Sequence, residues 1–226
     1  PSAVWLSVEG GVGAHSGIYG LLRFDGAALT SQISASSSSP GVGSSRDLNG
    51  DGILEVIIDA SDPYVFCYAC GVRLPGTSLW RWDGTAMVKV ELAALPAEAP
   101  EVLRSLNERL LELAQGGLWM DVHAALEVAA ELESAINSQP FAWNTLLLQL
   151  NADARRIPIE AGEPAYPLLA HVFYGDYAGA VALMRTLAAE QIFALSSPLI
   201  VETVAEGWEE TLASWIHRST ADALAV

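Results

Sequence analysis

Through the first 96 residues, apolar side chains come in short runs at 4–8, 18–24, 53–59, 64–68, 78–82 and 87–92, separated by Gly, Ser, Asn and Asp. Runs of this length, rich in β-branched and aromatic residues and bounded by turn formers, predict strands. The stretch 31–45 holds eight serines with Pro40, Gly41 and Gly43, and its polarity predicts an exposed loop. From residue 97 the period lengthens. Leu103, Leu106, Leu110 and Leu113 recur at spacings of three and four, one stripe of a helix that Gly116 and Gly117 stop. A second helix turns Val122, Leu126, Ala129, Leu132 and Ile136 inward and ends near 137–140. Further helices are predicted at about 141–156, 164–174 and 176–193. A sixth follows Ser197 and Pro198, which suit the N-cap and the first helical position. Six helices joined by short turns form helical hairpins.

Two segments of the β half suggest an internal repeat, the other reading being that Asp-Gly hairpins recur by chance in any β domain. Residues 22–29 read LRFDGAAL and residues 80–87 read WRWDGTAM, an offset of 58. Asp-Gly between two strand-like runs is a hairpin signal, because Gly takes positive φ without steric cost. The period lies near that of a propeller blade. With 96 residues there is chain for fewer than two blades, so a closed propeller does not fit. The expected fold class is α+β: an N-terminal antiparallel β domain over 1–96 with propeller-blade-like hairpins, then an all-α helical-hairpin domain over 97–226.

Charge narrows the partners. The chain carries 27 acidic and 11 basic side chains, a formal charge of −16. Five basic and nine acidic residues precede residue 97; six and eighteen follow it. Nucleic-acid binding needs clustered Lys and Arg against phosphate, but Lys89 is the single lysine and the ten arginines are scattered. So negative a chain attracts cations and repels anionic headgroups. No apolar run approaches the roughly 20 residues of a transmembrane helix. The chain begins at Pro1, from which we expect that a leader segment has been removed.

The sharpest motif is DLNGDGILE, with Asp47, Asn49, Asp51 and Glu55 at relative positions 1, 3, 5 and 9 and Gly52 at position 6. Alternate acidic residues on a tight loop direct several oxygens at one hard cation, and the carbonyl of Ile53 supplies position 7. The other reading is a solvated Asp/Asn/Gly turn. Position 12, the bidentate Glu of an EF-hand, is Ile58, and the β-branched run Val56, Ile57, Ile58 predicts a strand rather than a helix. The segment 44–61 resembles the calcium loops of FG-GAP and integrin-type propeller repeats. That resemblance implies structural Ca²⁺ held by Asp47, Asn49, Asp51, Ile53 and Glu55, without catalysis.

Other chemistry is sparse. Cys67 and Cys70 form a C-x-x-C without a following helix, which suits a local disulfide or paired thiols in an oxidising compartment better than a redox centre. His15, His123, His171 and His217 are dispersed, which disfavours a zinc site. His15 beside Ser16, and Asp59 with Asp62, are weak catalytic candidates, since no strained serine elbow occurs and turn carboxylates are usually solvated. Trp80, Trp82, Trp208 and Trp215 read as packing.

In residues 165–187, Tyr166, Leu169, Ala170 and Phe173 precede a Gly175–Asp176–Tyr177 turn and Ala180. The small Ala170 and Ala180 let two helices approach closely. The stretch resembles a tetratricopeptide repeat, which implies a protein-binding scaffold; a generic helical hairpin has the same pattern. The expected function is a non-enzymatic, secreted, periplasmic or cell-surface calcium-binding module with a helical protein-interaction domain. The alternative is a hydrolase with an active site between the two domains.

Overall fold

The computed structural model describes residues 3–11, 16–38, 40–62, 73–130, 141–162 and 166–186. Among them, seven strands precede five helices, a mixed α+β chain with the β part first. It divides into two compact units, Pro1–Ser61 with Gly76–Glu91, and Asp62–Pro75 with Leu92–Val226.

The first unit holds two antiparallel sheets. One comprises β1 (Val4–Gly11), β2 (Gly17–Phe24) and β3 (Leu29–Ser37), in that order. The other comprises β4 (Gly43–Arg46), β5 (Glu55–Asp59), β6 (Thr77–Trp82) and β7 (Met87–Lys89). The two LRFDGAAL-type segments are both hairpins. Asp25 N–H donates to Ala28 O at 3.2 Å and Asp83 N–H to Ala86 O at 3.1 Å, and Gly26 and Gly84 take φ of 96° and 102°.

The serine-rich stretch 31–45 corrects its expectation: much of it is strand, in β3 and β4. Serine is a poor strand former in isolation, but strand preference follows the cross-strand neighbours. Here Leu21 pairs with Ile33 and Tyr19 with Ala35, so every second residue of β3 faces the core while Ser34 and Ser36 face away. A bulge between Leu21 and Leu22 keeps that alternation in step with the hairpin.

The core between the sheets is Tyr19, Leu21, Ile33, Val42, Val56, Ile58 and Met87, with Trp80 and Trp82 packed against it. Tyr19 lies flat on Gly43, where an added Cβ would come within 2.5 Å of its ring. Its hydroxyl pairs with Ser45 Oγ at 3.3 Å. The register gives the stacking a direction. The first sheet packs through Tyr19 and Leu21, whereas Leu22, Phe24 and Leu29 point away. In the second sheet the positions 58 residues later, Trp80, Trp82 and Met87, are the ones that face the first. The two repeats therefore stack the same way round, like steps, not face to face like a mirrored sandwich.

The second unit contains α1 (Glu101–Gln115), α2 (Trp119–Ala130), α3 (Phe141–Glu160), α4 (Pro167–Tyr174) and α5 (Tyr177–Thr186). The predicted stripe is its core: Leu103, Leu110 and Leu113 are buried with Val122, Leu126, Ala129, Phe141 and Leu148, and Leu106 packs against them. The third helix runs past its expected end at 156, through Pro158. Asn107 sits on the apolar stripe fully buried. Its amide and that of Asn144 both donate to Ala93 O, at 3.1 and 2.7 Å, while Asn144 Oδ1 accepts from Ala93 N–H. Asn144 also donates to Asn107 Oδ1 at 2.6 Å. The pair satisfies an extended backbone segment that no ladder reaches. The strand expected at 64–68, most of a helix end at 131–140 and the sixth helix lie outside the described residues.

Candidate functional site

The acidic loop joins β4 to β5, so the sheet ladder from Arg46 to Glu55 holds its ends. Inside it each acidic side chain folds back on the backbone. Asp47 accepts from Gly50 N–H at 2.7 Å and Gly52 N–H at 3.0 Å, and both glycines have positive φ, 77° and 83°. Asn49 Oδ1 accepts from Asp51 N–H at 3.0 Å, its Nδ2 donates to Asp51 Oδ2 at 3.0 Å, and Asp51 Oδ1 accepts from Ile53 N–H at 2.7 Å. These are the side-chain-to-backbone bonds by which Asp and Asn shape turns.

Glu55 differs from the rest. It is 1% exposed, and one of its oxygens accepts from Leu48 N–H at 2.9 Å. Burial pushes its carboxyl above the ordinary glutamate range, and the charges of Asp51 and Asp47 push the same way. No basic side chain pairs with it among the described residues. Ile53, whose carbonyl completes the predicted donor set, is 46% exposed. Thus Asp47, Asn49, Asp51, Ile53 and Glu55 share one loop, and the Glu55 carboxyl lies within the field of the other two acids. Among the described residues, no group of three or more His, Cys, Asp or Glu is arranged to hold a metal. The loop oxygens are turned onto N–H groups, although a carboxylate oxygen engaged once retains a second lone pair. The donors gathered in this loop are all oxygens, the type of ligand that hard cations such as Ca²⁺ take.

Beside this loop is a cleft of about 620 Å³, lined on one side by Gly52, Ile53 and Leu54 and on the other by Trp5, Arg23 and Trp82. Trp5 and Trp82 meet edge to face, ring centroids 5.0 Å apart, and the Arg23 guanidinium lies over them at 6.0 and 5.3 Å. Its volume suits a small organic ligand. Trp5 and Arg23 were not singled out from sequence. The signal available was the Arg-aromatic-Asp-Gly repeat, which places Arg23 and Trp82 at hairpin ends but says nothing of Trp5, from another strand.

The weaker candidates disperse. Asp59 accepts from Ser37 Oγ at 2.6 Å and from Ser61 N–H at 3.1 Å, while Asp62 forms an isolated bridge with Leu74. His15, Cys67, Cys70, His217, Trp208 and Trp215 lie outside the described residues. In the helical unit the turn expected at Gly175–Asp176–Tyr177 forms: Gly175 ends α4 at φ 78°, and Asp176 caps α5 by accepting from Gly179 N–H at 2.8 Å. The other Asp176 oxygen meets His171 Nδ1 at 2.8 Å, and Ala180 is buried. Arg155 is buried on Trp119, 4.2 Å from its centroid, and burial lowers its guanidinium to about 10. Among the described residues, neither feature forms a catalytic cluster with further titratable groups. Compared with protein-family models, curated proteins and solved structures, the chain has no match.

Proposed function

We propose that the chain is a calcium-binding module whose β unit is built from propeller-blade-like repeats and whose helical unit engages a protein partner. The observation that carries this reading is Glu55. A carboxylate 1% exposed, next to Asp47 and Asp51 and without a basic partner among the described residues, is an unfavourable arrangement that a divalent cation relieves. Asp47, Asn49, Asp51, the Ile53 carbonyl and Glu55 would hold the ion, which would supply charge neutralisation and a clamp between β4 and β5. Asp47 and Asp51 would rotate from exposed N–H groups that water can satisfy.

Two further observations support the reading. The repeats stack the same way round, as sheets in a blade series do. In the helical unit Val102, Met120, Val128, Ile157 and Val181 are exposed, apolar material for a protein contact. Millimolar extracellular calcium suits a site of modest affinity, hence a secreted, periplasmic or cell-surface location.

The test is thermal unfolding after exhaustive chelation, with and without millimolar Ca²⁺, in wild type and Asp51→Ala. A rise in melting temperature with Ca²⁺ that the substitution abolishes supports the reading; no response to Ca²⁺ in wild type removes it.

A further inference from the structure

The outward face of the three-stranded sheet is apolar and uncovered. Val4, Leu6 and Val8 of β1, Ile18 and Phe24 of β2 and Leu29 of β3 lie on it with exposures from 39% to 55%. The register places Gly10, Gly20, Leu22, Ser31, Ser34 and Ser36 on the same face, so no charged side chain stands there. For a chain of net charge −16 that is a marked local exception. The six half-exposed side chains present about 500 Å² of apolar surface, at the upper end of what single-chain proteins expose in one patch.

The molecule itself contains the precedent for this face. Trp80, Trp82 and Met87 occupy the repeat positions of Leu22, Phe24 and Leu29, and in the second sheet that face is buried against another sheet. A step-like stack of copies would need the opposite face of the second sheet to be free. Leu79, the counterpart of Leu21 on that face, is 0% exposed, so it is already covered. Head-to-tail growth between copies is therefore closed at that position, and between copies the uncovered face is left to meet its own like.

We propose that this face joins two copies of the chain about a two-fold axis, Val4, Leu6 and Val8 of one copy packing on the same sheet of the other. Such an isologous contact closes on itself. Each copy contributes about 500 Å², together about the 1,000 Å² that a specific interface requires. The contact also buries the outward side chains of β1, a strand exposed along its whole length. The proposal is independent of calcium.

Sedimentation velocity of the full chain between about 1 and 100 μM tests it. The expected result is a shift from one chain to two with rising concentration. Leu6→Glu and, separately, Leu29→Lys should weaken association at least tenfold while circular dichroism at low concentration stays as in wild type. Leu92→Glu, at a residue exposed to the same extent as Phe24 but off this sheet, should leave it unchanged. Three results overturn the proposal: a wild-type chain that stays monomeric throughout, which would leave the face to a different partner; mass that grows past two; or dimers that persist in folded Leu6→Glu and Leu29→Lys.

Discussion

Asp83 and Glu55 belong to the same four-stranded sheet, yet their carboxylates are pushed in opposite directions. Asp83, fully exposed at the β6–β7 turn, accepts from Ala86 N–H, Thr85 N–H and the Thr85 hydroxyl, and these bonds hold it at about 2. Asp25 repeats the arrangement with Ala28 and Ala27 and is lowered for the same reason. Glu55 has a single backbone donor, is buried, and faces two other acids, so it is raised. The contrast separates two uses of an acidic turn residue. Where donors outnumber charges, the carboxylate builds the turn; where charges outnumber donors, the buried carboxylate is left uncompensated.

The largest test attacks the frame both regions share. Gly43→Ala drives a Cβ into the Tyr19 ring and should cost about 1–3 kcal/mol in urea unfolding. It should leave the response to Ca²⁺ in place, because the loop lies beyond the contact; loss of both together would mean that the loop and the sheet pair are not separable. Next is calcium itself. At tenfold excess over the dissociation constant, Ca²⁺ should add about 1.4 kcal/mol to wild type and nothing to Asp51→Ala.

Glu55→Gln keeps the shape and removes the charge, and should raise stability without calcium by less than about 1 kcal/mol while abolishing the calcium increment. Its pH dependence has a definite sign. With its folded pKa above the ordinary 4.5, Glu55 favours the native state below that pH, and the benefit is lost as pH rises through the folded value. Melting of wild type relative to Glu55→Gln should therefore fall between pH 4 and neutrality, and a constant difference would contradict the assignment. The smallest effect is that of Asp83→Asn. Asp83 stabilises the fold above its ordinary 3.8 and loses that contribution as pH falls through about 2. The variant should be slightly less stable than wild type at neutral pH, and the difference should shrink as pH falls between those values, flattening the acid limb of the melting curve.

Much of this molecule was legible locally. The Asp25 and Asp83 turns, the loop from Asp47 to Glu55, the leucine stripe of α1 and the Gly175–Asp176 corner each depend on residues within a few positions of one another. Reading failed where pairing is distant. Serines 31–37 become strand only because Tyr19 and Leu21 lie alongside, and Asn107 looks misplaced on its stripe until Asn144 and Ala93 meet it. The cleft was invisible for the same reason, since Trp5 and Trp82 are 77 positions apart in sequence.

Turn geometry, helix periodicity and the order of strands before helices were thus determined by the sequence itself, because φ preferences, capping bonds and amphipathic spacing act over short chain distances. Which carboxylate is buried among its own kind, and which face of a repeated sheet is covered and which left open, was decided only by tertiary packing. Burial and desolvation depend on what the rest of the chain brings alongside, and two segments as alike as LRFDGAAL and WRWDGTAM receive opposite surroundings.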